Sequence, residues 1–196
     1  MSIYHKNMLS VGLLLAMMVP LEAYAAPSNT PDGQEQQAPS AKPIENMSET
    51  IEADFNDVAS IEQILAALYD VVSGNTDEKR DWKRMKSLFL PEGKLIPTGQ
   101  NGPRVMSVDD YSVMGDRTFA QIPFYEVENS RIVEQFGNIA HVFSTYESRH
   151  DPSESMPFMR GINSIQLVKH SGRWWIANVM WQAENKDHPL PDKYLK

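Results

Sequence analysis

The sequence predicts an α+β fold, with helices in the first half of the chain and an antiparallel sheet in the second. Two patterns carry that prediction. Between residues 51 and 119, large apolar side chains return every three or four positions, the repeat of helices buried along one stripe. From residue 126 to 184 the chain reads as extended segments, with Gly137-Asn138 and Ser171-Gly172 as two-residue hairpin signatures. Helices followed by a meander of strands place the helices on one sheet face.

The elements follow in order. Residues 1–25 read as a secretory signal peptide: Lys6 with His5 nearby, an apolar stretch over 8–19, the helix breaker Pro20, and small residues at the cleavage positions of Ala23-Tyr24-Ala25. The apolar stretch is shorter than the ~20 residues of a spanning helix. Export is therefore expected, periplasmic or secreted, with no membrane contact after cleavage. Residues 26–50 hold four prolines and only Ile44 and Met47 as large apolar side chains, which reads as a disordered linker. The folded domain is expected over 51–184, with 185–196 as a C-terminal tail.

Ile51, Phe55, Val58, Ile61, Leu65, Leu68 and Val72 predict one long amphipathic helix closed by Gly74-Asn75. A short helix around 81–89 buries Trp82, Met85 and Phe89, and Pro91-Glu92-Gly93 turns the chain into a short strand at 94–96. Ser107 with Asp110 three residues on forms a capping-box spacing that opens a third helix. Four strands are expected over 126–136, 139–149, 158–169 and 173–184.

Composition bounds the partners. Eighteen basic against twenty-six acidic residues give a net charge of −8, which repels a phosphate backbone and argues against nucleic acid and anionic lipid. The absence of cysteine excludes disulfides, thiolate metal sites and thiol nucleophiles.

The helix order, the LFLPEGKLIP turn and strand at 88–97, and the terminal GRWWIANVMWQ stretch at 172–182 together resemble the nuclear transport factor 2-like superfamily. Its SnoaL-like and ketosteroid-isomerase-like branches are the most similar, and the resemblance covers roughly 52–184. It implies a cone, in which a curved antiparallel sheet wraps the N-terminal helices and leaves a cavity at its open end. It also implies a homodimer through the outer sheet face. Such a fold hosts many functions, so it does not name one. The positions of the isomerase branch's acid and base fall at Ala67 and Pro97, neither of which can exchange a proton. Tyr69 lies two residues from the first position, a rotation of about 200° on a helix.

Hairpin register assigns the strand faces. With the two turns as tips, Val142, Ile165, Ile176 and Met180 form an apolar floor that grades into Arg131, Ser144, Tyr146, Asn163, Asn178 and Gln182. Apolar walls with convergent polar groups suit a small, partly apolar ligand. Arg131, Tyr146, Asn163, Asn178 and Gln182 are the candidate pocket residues, with Trp82 closing the cone. The opposite face carries Glu128, Glu134, His141, Glu147, Arg160, Trp175 and Trp181. Its two tryptophans suggest a homodimer surface, against the plainer alternative of a face half covered by the tail.

Catalytic motifs are sparse. The histidines after residue 25 (His141, His150, His170, His188) lack metal-ligand spacing, and neither a serine elbow, a phosphate loop nor a dinucleotide fingerprint is present. No metal, no cofactor and no catalytic residue is assigned. The residues favour a non-catalytic ligand pocket. The alternative is a cofactor-free enzyme in which Tyr146 orients a carbonyl and a carboxylate moves a proton. A buried carboxylate in the same cavity as Tyr146 would separate the two. For export, N-terminal sequencing of protein from its native cell should begin at Ala26; an intact Met1 in a cytosolic fraction refutes it.

Overall fold

Capping side chains set the helix boundaries. In the computed structural model, which describes residues 51–99 and 102–195, Asp54 accepts from the Asn56 amide and opens α1 (Phe55–Val58). Ser60 accepts from the Gln63 amide and opens α2 (Ile61–Val72). The single helix expected from residue 51 is thus two, because the Ser60 cap at φ −138° breaks the first before the second begins. Phe55, expected in the buried stripe, is 66% exposed. The signal peptide and linker lie outside the described residues.

Beyond α2 the chain is held by a buried arginine. Arg80 donates to the carbonyls of Val72 at 2.8 Å, Gly74 at 2.7 Å, Glu78 at 2.8 Å and Asn75 at 3.1 Å, supplying donors that the helix end lacks. A Cβ on Gly74 would lie 2.6 Å from this guanidinium, and the φ of +148° further favours glycine. Asp81 then caps α3 (Trp82–Leu88), which runs into β1 (Phe89–Thr98). The Ser107–Asp110 capping box forms in both directions and opens α4 (Val108–Phe119), as its spacing predicts.

Four long strands follow: β2 (Tyr125–Phe136), β3 (Ile139–Arg149), β4 (Met159–His170) and β5 (Arg173–Ala183). Their bounds lie within a residue of those expected, with positive φ at the Gly137 and Ser171-Gly172 tips. The sheet order is β1-β5-β4-β3-β2, and β1 runs parallel to β5. The sheet is therefore mixed rather than wholly antiparallel. The stretch α4 to β4 is the long crossover that a parallel neighbour requires. The irregular register between Phe89 and Lys94 explains why only the end of β1 looked like a strand.

Two bulges decide the faces of this sheet. In β2, Glu128 pairs with Tyr146 and Ser130 with Thr145, so Asn129 is the extra residue. In β5, Ile176 pairs with Leu167 and Asn178 with Gln166, so Ala177 is extra. Each bulge exchanges the faces of the residues beyond it. The expected pairings of β3 with β4 hold throughout, Ser144 with Asn163 and Tyr146 with Gly161 among them. Those of Asn163 with Met180 and Gly161 with Gln182 do not: the partners are Trp181 and Ala183.

The core lies between α2 and the inner sheet face, where Ile64, Leu65, Met85, Val142, Ile165 and Ile176 are fully buried. On the outer face the tail folds back. The Tyr194 carbonyl accepts from Ser130 Oγ at 2.5 Å and Thr145 Oγ1 at 2.6 Å, and its ring lies against Phe143. No helix among the described residues is long and apolar enough to cross a membrane. Replacing Arg80 by Met should cost about 2 kcal/mol or more in urea unfolding, because buried carbonyls lose charged donors. A loss below about 0.5 kcal/mol would mean that water serves those carbonyls equally well.

Candidate functional site

A chamber of about 160 Å³ lies between the inner sheet face and the helices. Leu68 and Val72 of α2, Phe119 of α4, Leu95 of β1 and Val179 of β5 give it apolar walls. Its polar groups gather around Glu126 of β2, with Tyr69 from α2, Tyr111 from α4, Tyr146 from β3 and Asn163 from β4.

Glu126 stands inside because of Asn129. Counting back from the Gly137 turn with strict alternation, Val127 faces inward and Glu126 and Glu128 face out. The bulge reverses this: Glu126 pairs with Ser148, Glu128 with Tyr146, and Val127 is exposed. The Asn163 amide donates to Glu126 Oε1 at 3.2 Å and to the Tyr69 hydroxyl at 3.1 Å. Tyr69 meets Ser144 Oγ at 2.6 Å, and Ser144 donates to Glu128 Oε1 at 2.5 Å. Glu128 is in turn paired with Arg131 at 2.7 Å.

Burial dominates the electrostatics. Removal from water raises the Glu126 carboxyl to about 7; Asn163, and more weakly Ser148, pull it down without cancelling the rise. Desolvation first, and the charge of Glu126 second, push Tyr69, Tyr111 and Tyr146 well above the ordinary tyrosine range. The three rings therefore stay neutral hydroxyl donors at physiological pH. The Tyr146 hydroxyl is buried and has no hydrogen-bond partner among the described residues. Its ring packs over Gly161, where a Cβ would lie 2.7 Å from that oxygen, so the glycine makes room for the tyrosine.

The expected pocket residues divide. Tyr146 and Asn163 line the chamber. Arg131 instead lines an adjoining polar cleft with Asp70 and Arg149, held there by Glu128. Trp82 supports the wall from behind, 6.0 Å from Tyr111 and 6.2 Å from Phe119 between ring centroids, with its indole N–H on Asp116. Asn178 and Gln182 are turned to the outer face by the Ala177 bulge, beside Gln166 and Ile162. Gln182 accepts there from Thr98.

The same bulge brings Trp181 inward against Tyr111. Trp175 stays outside but is 3% exposed, beneath the Arg173 guanidinium 3.6 Å from its ring centre. The tryptophan pair expected on one surface is thus divided between two. Arg160 faces Glu147 in register but bonds Glu184, while Glu147 takes Arg149. Glu126, Tyr69 and Tyr111 were not anticipated. An asparagine within a strand, a residue strands disfavour, was the available signal for the bulge.

No family model matches the sequence, and no curated protein matches it. Solved structures share its fold. A protein of unknown function with a cystatin-like fold from Nostoc punctiforme is 12% identical, with a TM-score of 0.52 over 64% of this chain and 90% of its own. A nuclear transport factor 2-like protein of unknown function from Pseudomonas putida is 12% identical, with a TM-score of 0.51 over 67% and 92%. LinA is 10% identical, with a TM-score of 0.51 over 68% and 89%. The chain has the nuclear transport factor 2-like fold, as its sequence resemblance implies; identities this low speak for the fold alone.

The raised Glu126 carboxyl links stability to pH. With about 7 in the folded chain against 4.5 when exposed, folding takes up a proton between those values, so stability falls as pH rises through that window. The full loss is about 3 kcal/mol. Urea unfolding of Glu126→Gln should therefore gain on wild type between pH 5 and pH 8 by an amount approaching that figure. A constant difference between the two proteins would contradict the burial of the charge.

Proposed function

We propose that the protein is a cofactor-free acid–base catalyst acting on a small neutral carbonyl compound. The observation that carries this reading is a desolvated carboxyl, Glu126, in the same chamber as a buried Tyr146 hydroxyl without a partner. Its raised value suits a general base near neutral pH. In the proposed step, Glu126 takes a proton from a carbon beside the substrate carbonyl. The electron pair moves onto the carbonyl oxygen, which accepts a hydrogen bond from Tyr146. Returning the proton to a second carbon completes an isomerisation and restores Glu126.

The chamber limits the substrate. At about 160 Å³ it is close to a benzene-sized cavity, so a ring or short chain of roughly six to nine non-hydrogen atoms fits. A substrate carboxylate would meet the charge of Glu126, so neutral molecules are preferred. The signal-peptide features of the sequence support an address outside the cytoplasm for this activity. A pocket that only binds is the second reading; it is supported by the apolar walls alone and leaves the desolvated carboxyl without a role.

Deuterium exchange into cyclohexenone in D₂O, followed by NMR, tests the proposal. Exchange should rise with pH as Glu126 deprotonates near 7. It should fall about 100-fold or more in Glu126→Gln and about tenfold in Tyr146→Phe. Binding without exchange would support the pocket alone. Exchange no faster than in acetate of equal concentration would overturn the catalytic reading.

A further inference from the structure

The hydrogen bonds leading away from Glu126 have a fixed direction. Ser144 has one hydroxyl proton and gives it to Glu128 Oε1, a carboxylate paired with Arg131. At the Tyr69–Ser144 contact the tyrosine must therefore donate. Tyr69, its only proton spent, can only accept from its other neighbour, so Asn163 must present its NH₂ rather than its carbonyl oxygen. The same NH₂ meets Glu126 Oε1. Every donor along Asn163, Tyr69 and Ser144 points toward Glu128.

We infer that Glu128, through Ser144 and Tyr69, fixes which end of the Asn163 amide faces Glu126, and thereby which protonation state of Glu126 the site favours. Glu128 and Arg131 are then positioning residues, acting through the amide without touching a ligand. The inference rests on the reading of Glu126 as the acid–base group. It also gives Arg131, displaced from the chamber, a place at the outer end of the same chain.

Reversal has a definite consequence. A glutamine at position 128 can donate to Ser144, which then donates to Tyr69. Tyr69 must in turn donate to Asn163, and the amide turns its oxygen toward Tyr69 and Glu126. A carboxylate facing an amide oxygen is disfavoured, and a protonated carboxyl that donates to it is favoured. Loss of the negative charge at 128 acts on Glu126 in the opposite sense, so the sign of the response separates the two effects. The other titratable or charged groups around Glu126 are Tyr69 and Asp70 from α2, Tyr111 from α4, Tyr146 and Arg149 from β3, and Tyr125 and Arg131 on its own strand. Besides turning the Tyr69 hydroxyl, the substitution leaves Arg131 without its carboxylate, and that positive charge acts on Glu126 in the same downward sense as the lost charge at 128.

The experiment is a ¹³C NMR titration of the Glu126 carboxyl carbon in the full chain, assigned by its disappearance in Glu126→Gln. The midpoint should rise by roughly one pH unit in Glu128→Gln, the size expected when a donor is exchanged for an acceptor beside a carboxylate. Tyr69→Phe, which cuts the chain but leaves the charges in place, should leave the midpoint nearly unmoved. Glu128→Gln added to Tyr69→Phe should then have no upward effect. A fall or no change in Glu128→Gln, or a rise that persists beside Tyr69→Phe, would overturn the inference. An ordinary carboxylate midpoint in wild type would instead remove the proposed catalytic base, while the direction of the shift still tests the chain.

Discussion

Everything at the site depends on one extra residue in β2. Side chains along a strand alternate between faces, so a single unpaired position exchanges the faces of all residues beyond it. Asn129 is that position, and it turns away from the core to donate to Glu147. Ser130 stays on the outer face to hold the tail. Glu128 and Glu126 then point inward, where the one meets Ser144 and the other the Asn163 amide. Without the bulge, the inner face would present Val127 to the chamber and no carboxylate.

Such a carboxylate is costly. Stability of a domain is a few to fifteen kcal/mol, so a half-buried, desolvated carboxyl held by neutral donors alone consumes an appreciable part of it. The surroundings limit the cost without removing it. Asn163 is oriented by Tyr69, Tyr146 is backed by Gly161, and Trp82 stiffens the wall formed by Tyr111 and Phe119. Arg80 ties the end of α2 to the following loop and stacks over Phe119 at 5.1 Å. These contacts hold the groups of the chamber in place, the preorganisation that the proposed proton transfer requires.

Much of the fold is legible in the sequence because its signals are local. The Ser107–Asp110 spacing makes a capping box, and Gly137-Asn138 and Ser171-Gly172 fix the hairpins. Pairing of β3 with β4 follows from the loop between them. Tyr146 and Asn163, which belong to those strands, line the chamber for that reason. The rest depends on tertiary pairing. Asn178, Gln182 and Trp181 change faces at the Ala177 bulge, and neither alanine nor its neighbours mark it. Tyr69 lies about 200° around the helix from the position that the family resemblance points to, yet it is 6% exposed and reaches across to Ser144. The parallel partnership of β1 joins residues more than eighty positions apart, beyond the reach of any local pattern.

The account's central claim is that Asn129 is the extra residue that sets the face of Glu126, and deletion of Asn129 tests it most directly. The turn at Gly137 holds Ser130 opposite Thr145, so removal of a residue that has no partner should join Glu128 to Ser130 and leave Glu128 opposite Tyr146 and Glu126 opposite Ser148, both still facing inward. The ¹³C titration midpoint of Glu126 in the folded deletion variant should then stay near 7. A folded variant in which the midpoint falls toward the ordinary glutamate value of 4.5 would show that Asn129 is a paired residue of the strand and not the extra one that sets the face of Glu126.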